Sequence, residues 1–69
     1  MAGINILLNG ETLEVAKEIK LDELLEFFSL PRKRVAIEIN NSVVSRSDWP
    51  DIVIGEGDKI EVVHFVGGG

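Results

Sequence analysis

Apolar and polar positions alternate at the start of the chain. Ile4, Ile6 and Leu8 recur at every second position, which is the period of a strand with one buried face. Asn9-Gly10 follows, and this dipeptide favours a type I′ turn because both of its residues tolerate positive φ. Residues 12–15 are expected to return antiparallel to the first strand. The pattern therefore predicts an N-terminal β-hairpin.

A helical period replaces this alternation in the next segment. Its apolar stripe, spaced at i, i+3, i+4 and i+7, consists of Leu21, Leu24, Leu25 and Phe28. The opposite face is acidic, and its first two acids, Asp22 and Glu23, suit the positive N-terminus of a helix. We interpret this face as a solvated surface, with an acidic docking surface as the alternative. The helix is expected to end at Leu30-Pro31, because proline disfavours an α conformation in the residue before it.

The second half of the chain returns to the period of a strand. Val35, Ile37 and Ile39 alternate with more polar residues and predict a third strand. The asparagine pair at 40–41 is a plausible turn, because asparagine tolerates left-handed geometry. Residues 43–44 are then expected to form a short fourth strand.

A short irregular segment precedes the last strand. Residues 47–51 are expected to form a loop or a single helical turn, in which Trp49 covers a small core. An exposed Trp49 that anchors an interface is the alternative. Residues 55–58 (Gly-Glu-Gly-Asp) predict a tight turn, after which an apolar, β-branched strand begins at Ile60.

The order of these elements predicts an α+β fold, in which one main helix packs on one face of a mixed sheet of about five strands. The first and last strands are the longest and most apolar, so we expect them side by side at the centre. A right-handed crossover would make them parallel. By strand parity, the residues that face the helix are Ile4, Ile6, Leu8, Ile60, Val62 and Val66. His64 shares this parity and is expected to be packed or half-exposed.

Three apolar residues fall on the opposite, open face of the predicted sheet. They are Leu7, Val63 and Phe65, and on two adjacent strands they would form an apolar patch that leads to the end of the chain. We interpret this patch, with Val66 beside it, as a partner-docking surface. The alternative is that a small sheet merely exposes a few apolar groups.

Composition narrows the classes of function. A formal net charge of −5 over 69 residues argues against a nucleic-acid-binding surface, and Arg32-Lys33-Arg34 is interpreted as a solvated loop. With no cysteine and one histidine, the chain predicts no thiol chemistry and no metal site. His64 is not expected to be a catalytic base. The absence of a long apolar run or signal-peptide pattern predicts a cytoplasmic protein with no membrane partner, expected to be a monomer when free.

The last three residues are the most unusual feature of the sequence. The final strand runs without a turn into Gly67, Gly68 and Gly69. Because none of these residues has a side chain, the terminal carboxylate could thread a narrow channel and reach a partner's active site. The alternative is a frayed or linker-like end with no function. The other elements are needed to decide between the two.

The ordered set of elements resembles a known family, the ubiquitin-like β-grasp sulfur carriers, and among them most closely those of thiamine (thiazole) biosynthesis. The residues that carry the resemblance are segments 4–11, 21–25 and 35–40, Val44, Arg46, Trp49, the turn at 55–58 and the tail at 66–69. The resemblance implies a β-grasp domain over residues 1–66 and a glycine tail over residues 67–69.

The resemblance also implies that the chemistry is supplied by partner proteins. An adenylyltransferase related to the ubiquitin-activating enzymes would use ATP to adenylate the carboxylate of Gly69, with Gly67 and Gly68 threading its active site. A persulfide sulfur from another protein would displace AMP and leave a thiocarboxylate. Thiazole synthase would accept this sulfur. The chain itself would bind no cofactor and contribute no catalytic residue.

Two other functions remain open from the sequence. The chain could supply sulfur for molybdopterin or another metabolite, although it lacks the proline-rich approach to the glycines that is usual in the molybdopterin carriers. It could also be a ubiquitin-like interaction module with an inert tail. At the positions just before the glycines, where ubiquitin has arginines, this chain has Phe65 and Val66, which favours the carrier over protein conjugation.

Overall fold

The computed structural model describes residues 3–64. Within this range the chain forms five strands, one α-helix and one 3₁₀ helix. These elements are β1 (Gly3–Leu8), β2 (Glu11–Ala16), α1 (Leu21–Phe27), β3 (Val35–Ile39), β4 (Ser42–Val44), the 3₁₀ helix (Arg46–Asp51) and β5 (Lys59–His64). The predicted α+β order is confirmed.

The N-terminal hairpin forms as predicted. β1 and β2 pair antiparallel from Gly3 opposite Ala16 to Leu8 opposite Glu11. The turn between them has positive φ at both positions, 51° at Asn9 and 87° at Gly10, as a type I′ turn requires. The turn at 40–41 uses the same geometry, with φ values of 53° and 72° at its two asparagines.

Helix α1 ends earlier than the sequence predicts. Its last residue is Phe27, so the prediction of an end at Leu30-Pro31 is wrong. Ser29 adopts a left-handed φ of 55°. The amide of Leu30 donates to the carbonyl of Leu25 at 2.8 Å, and the amide of Ser29 to that of Glu26 at 3.1 Å. These two bonds form a Schellman motif, which closes the helix before the proline can affect it.

The strand order is β2-β1-β5-β3-β4, so the last strand lies at the centre of the sheet. β5 runs parallel to β1 and antiparallel to β3. The predicted parallel pairing of the first and last strands is therefore confirmed. Because β5 has a neighbour on each side, its position is fixed by hydrogen bonds from both directions.

The core lies between the sheet and α1. Its most buried side chains, each at most 2% exposed, are Ile6, Leu21, Leu24, Leu25, Val35, Ile37, Ile54 and Ile60. Ile4 and Leu8 are also buried, and Val62 packs against the cluster while partly exposed. These positions follow the predicted strand parity. Val66, which shares that parity, lies outside the described residues.

Trp49 belongs to the core. Its side chain is 3% exposed, and its indole N–H donates to the carbonyl of Val44 at 3.4 Å. The guanidinium of Arg46 lies 4.4 Å from the centre of the indole ring, within the range of a cation–π interaction. The prediction that Trp49 covers a small core is confirmed, and the alternative of an exposed interface anchor is wrong.

Candidate functional site

The candidate site is the place where β5 leaves the sheet. The last described residue of this strand is His64, and the chain continues from it to the C-terminus. The predicted tail (Gly67, Gly68 and Gly69) lies outside the described residues, as do Phe65 and Val66 of the predicted docking patch. The structure therefore describes His64, from which the chain leads to the tail, and its surroundings. We call His64 the base of the tail.

Both neighbours of β5 hold the strand close to the exit. On one side His64 is paired with Val35 of β3. On the other side β1 ends at Leu8, but Asn9 continues the pairing beyond it. The amide of Asn9 donates to the carbonyl of Ile60, and the amide of Val62 donates to the side-chain oxygen of Asn9, both at 2.9 Å. The strand from which the chain leads to the tail is thus fixed by its neighbours.

The role of Asn9 could not be predicted from the sequence. Asn9-Gly10 is sufficiently explained by the hairpin turn, and nothing in the local pattern indicates a contact with a residue more than fifty positions away. The only available signal was the predicted parallel pairing of the first and last strands. It places the end of the first strand beside the last strand, where an exposed amide could bond to it.

Leu7 and Val63 both lie exposed on the open face, with 39% and 42% of their surfaces accessible. Their exposure follows the predicted parity, but they are not adjacent. Leu7 is opposite Lys59, four residues before Val63, which separates the two Cα atoms by about 14 Å at the usual strand spacings. The expectation of one continuous patch through Leu7 and Val63 is therefore wrong, although β1 and β5 are adjacent.

The apolar neighbours of Val63 come from the other side of β5. Val63 is opposite Ala36 of β3, and Val43 of β4, which is opposite Glu38, is 68% exposed. We call Val63, Ala36 and Val43 the exit patch. This patch lies on the open face at the end of the sheet from which the tail departs.

His64 is exposed, whereas the sequence predicts a packed or half-exposed residue. It has the inward parity of Ile60 and Val62, but it is the last described residue of β5, and among residues 3–64 the side chains packed on the core extend no further along this strand than Val62. Within residues 3–64, no group of three or more histidine, cysteine or acidic side chains is arranged to hold a metal ion. Over the same residues, no helix is long and apolar enough to cross a membrane.

These features define a class of protein. One helix packed on a five-stranded mixed sheet, with the last strand at the centre and parallel to the first, is a β-grasp domain of the ubiquitin-like kind. The crystal structure of a thiamine biosynthesis protein (ThiS) from Geobacter metallireducens matches it with a TM-score of 0.86 and 29% sequence identity. That match covers 96% of this chain and all of the other.

Sequence comparison identifies the family. The model of the ThiS family matches residues 6–69, and the chain belongs to this family. The sulfur carrier protein ThiS of Bacillus subtilis is 33% identical over 63 residues, which cover 90% of this chain and 96% of that protein. A thiazole synthase of Magnetococcus marinus is 42% identical over 66 residues, or 96% of this chain. The chain spans about a fifth of the length of that synthase.

Proposed function

We propose that this chain is the sulfur carrier of thiamine thiazole biosynthesis and that its functional group is the carboxylate of Gly69. The observation that supports this most strongly is the extent of the family match, which continues through the glycines to residue 69. The fixed strand at the base of the tail agrees with it. From His64, five extended residues reach at most about 17 Å, enough for a terminal carboxylate to enter a partner's active site while the folded domain stays outside.

The proposed reaction begins with activation of the carboxylate. A carboxylate oxygen of Gly69 attacks the α-phosphate of ATP on an adenylating enzyme and releases pyrophosphate. The resulting acyl adenylate has AMP as a good leaving group. A protein persulfide then attacks the acyl carbon and expels AMP, forming an acyl disulfide. A thiol reductant cleaves its S–S bond and leaves the thiocarboxylate, whose sulfur passes to thiazole synthase.

In this proposal the chain supplies an acyl group and a recognition surface, and its partners supply the catalysis. The carboxylate needs a partner because it is a poor electrophile until it is adenylated. Nucleophilic or acid–base catalysis also requires a suitable set of neighbouring groups, and β5 ends its described part in a single exposed histidine, His64. We propose that the protein binds no cofactor of its own, uses ATP through its partner, and acts in the cytoplasm as a monomer.

Thiazole supply is preferred to molybdopterin supply because of the relatives named thiazole synthase. Two of them, from Magnetococcus marinus and Paramagnetospirillum magneticum, match 96% of this chain. A carrier-like region joined to an acceptor enzyme suggests that the two act on the same sulfur.

Reconstitution with the adenylating enzyme, ATP, a persulfide donor and either acceptor tests whether the carrier supplies thiazole or molybdopterin. We expect the thiazole to form with thiazole synthase; sulfur delivery to molybdopterin synthase alone would contradict it.

The open face is proposed as the surface that docks these partners, through Val63 and Phe65, with Val66 beside them and Leu7 as a separate contact. Val63 is closer to the exit than Leu7, so we expect Val63→Glu to weaken binding to the adenylating enzyme more than Leu7→Glu. Loss of an interface anchor costs about 2 kcal/mol or more, which is roughly a thirtyfold rise in Kd. Titration calorimetry with the purified enzyme measures this change.

Val53→Glu is the matched control for that experiment. Val53 is also exposed, at 55%, but it pairs with Lys20 near the start of α1 and is not on the open face. The control should bind as the wild type does, and all three variants should keep the wild-type melting temperature. Equal affinity of Val63→Glu and Val53→Glu would remove Val63 from the interface.

A further inference from the structure

We propose that Lys33 and Arg34 form a basic docking site for an acidic surface on the adenylating enzyme, beside the channel that takes the tail. This inference rests on the proposed function, because it concerns the same partner. The sequence alone indicates a solvated loop at Arg32-Lys33-Arg34. Its position, its anchoring and its charge together indicate a more specific role.

Position is the first argument. Val35 is the first residue of β3, and its partner across the sheet is His64. Paired residues of antiparallel strands lie about 5 Å apart between Cα atoms. Arg34 directly precedes Val35, so the basic pair lies beside the base of the tail. Any protein that holds the tail close to His64 must therefore approach Lys33 and Arg34.

Anchoring is the second argument. The guanidinium of Arg46 donates hydrogen bonds to the carbonyl oxygens of Arg32 and of Val35, the second at 3.0 Å. These bonds hold the backbone on both sides of the basic pair. The same guanidinium lies over the ring of the buried Trp49, which connects the loop to the core. A loop fixed in this way loses little conformational entropy when a partner binds.

Charge is the third argument. Arg32 forms an ion pair with Asp22 at 3.3 Å and donates to the carbonyl of Asp22 at 2.8 Å. Lys33 and Arg34 are exposed, and neither forms an ion pair with another of the residues 3–64. They present two positive charges on a chain whose net charge is −5. Two charges are too few for a nucleic-acid site, whereas acidic side chains on a protein would complement them and guide the approach of the tail.

The test compares two double charge reversals. Lys33→Glu with Arg34→Glu changes the proposed site. Lys17→Glu with Lys20→Glu changes two exposed lysines that follow the end of β2, where Ala16 pairs with Gly3 at the start of β1. Because β1 and β5 are parallel, this control lies at the opposite end of the sheet from His64. Each pair changes the net charge equally, from −5 to −9, since two residues each change it by −2.

The measured quantity is kcat/KM for pyrophosphate release by the adenylating enzyme, with the carrier as the varied substrate. At low ionic strength, we expect the reversal at 33 and 34 to lower it about tenfold or more, and the deficit to shrink as salt screens the charges. The neutral pair Lys33→Gln with Arg34→Gln should give a smaller loss. The reversal at 17 and 20 should give a clearly smaller loss at low ionic strength, because those charges lie at the far end of the sheet. It should come within about twofold of wild type at ~0.15 M salt, where the Debye length is only about 8 Å.

Three results would overturn the inference or its basis. An equal loss in both reversals would show an effect of net charge alone. Wild-type kinetics in the reversal at 33 and 34 would show that the partner does not contact this loop. If the wild-type chain itself is not adenylated, the proposed function is wrong. The basic site then has no adenylating enzyme to bind, and the inference is wrong as well. Melting curves recorded on the same samples identify any variant that has lost its fold.

Discussion

Removal of Gly69 is expected to abolish sulfur loading while the domain remains folded. The shortened chain still ends in a carboxylate, but this group lies one residue, or about 3.5 Å, closer to the sheet. Misplacement of a reacting group by even about 1 Å can reduce a rate roughly a hundredfold. We therefore expect the rate of adenylation to fall by more than about a hundredfold, measured as ATP-dependent release of pyrophosphate.

Stability should be unchanged in this variant, because the deleted glycine has no side chain to bury and the buried cluster found among residues 3–64 runs from Ile4 to Ile60. Gly69→Ala is the matched control, since it keeps the length of the tail and adds one methyl group. If the channel is as narrow as a tail of three glycines implies, this variant should also be adenylated more slowly, but it should retain more activity than the deletion. Wild-type adenylation of the deletion variant would show that Gly69 does not carry the reacting group.

Trp49→Ala is expected to have the largest effect on stability. Truncating a buried tryptophan costs about 3–5 kcal/mol, and this residue also packs under Arg46 and donates a hydrogen bond to Val44. A 69-residue domain has a free energy of unfolding of roughly 3–10 kcal/mol at ~0.05–0.15 kcal/mol per residue. The variant should therefore melt about 12 °C or more below the wild type, or be largely unfolded at room temperature.

Two controls separate this effect from a general sensitivity to substitution. Trp49→Phe keeps most of the buried apolar surface and should lose less stability than the alanine variant. Val53→Ala changes a side chain that is 55% exposed and should alter the free energy of unfolding by less than about 0.5 kcal/mol. A melting temperature of Trp49→Ala close to that of Val53→Ala would contradict the burial of the indole.

Much of the fold could be predicted because its signals are local. The alternation at Ile4, Ile6 and Leu8, the turn residues Asn9-Gly10 and the helical stripe that begins at Leu21 are each read within a few positions. The parallel pairing of the first and last strands followed from a general rule of handedness. It needed no contact between particular side chains.

The errors concern features that local patterns do not determine. The helix ends at Phe27 because Ser29 adopts a left-handed conformation, which is uncommon for serine and has no marker in the sequence. Strand parity places Leu7 and Val63 on the correct face, but their separation depends on the register of β1 against β5. Parity gives the face of a strand residue, whereas register requires the partner strand.

The candidate site also combines features that local sequence patterns show with contacts that they do not. The glycine end of the chain is visible in the sequence, and so is the strand before it. By contrast, two sets of hydrogen bonds join segments that are distant in the sequence. One runs from Val62 to Asn9, and the other from Arg46 to the loop before β3. Such contacts appear only when the sheet is assembled. They explain how the base of the tail is fixed and why the basic pair lies beside it.

The mass of the C-terminal fragment of the protein tests the central claim most directly. The chain is purified from its native host and its C-terminal fragment is analysed by mass spectrometry, before and after incubation with the adenylating enzyme, ATP, a persulfide donor and a thiol reductant. We predict a fraction of chains in which one oxygen of the Gly69 carboxylate is replaced by sulfur, and an increase in this fraction after incubation. A terminal carboxylate that remains unmodified in both samples would contradict the function of a sulfur carrier.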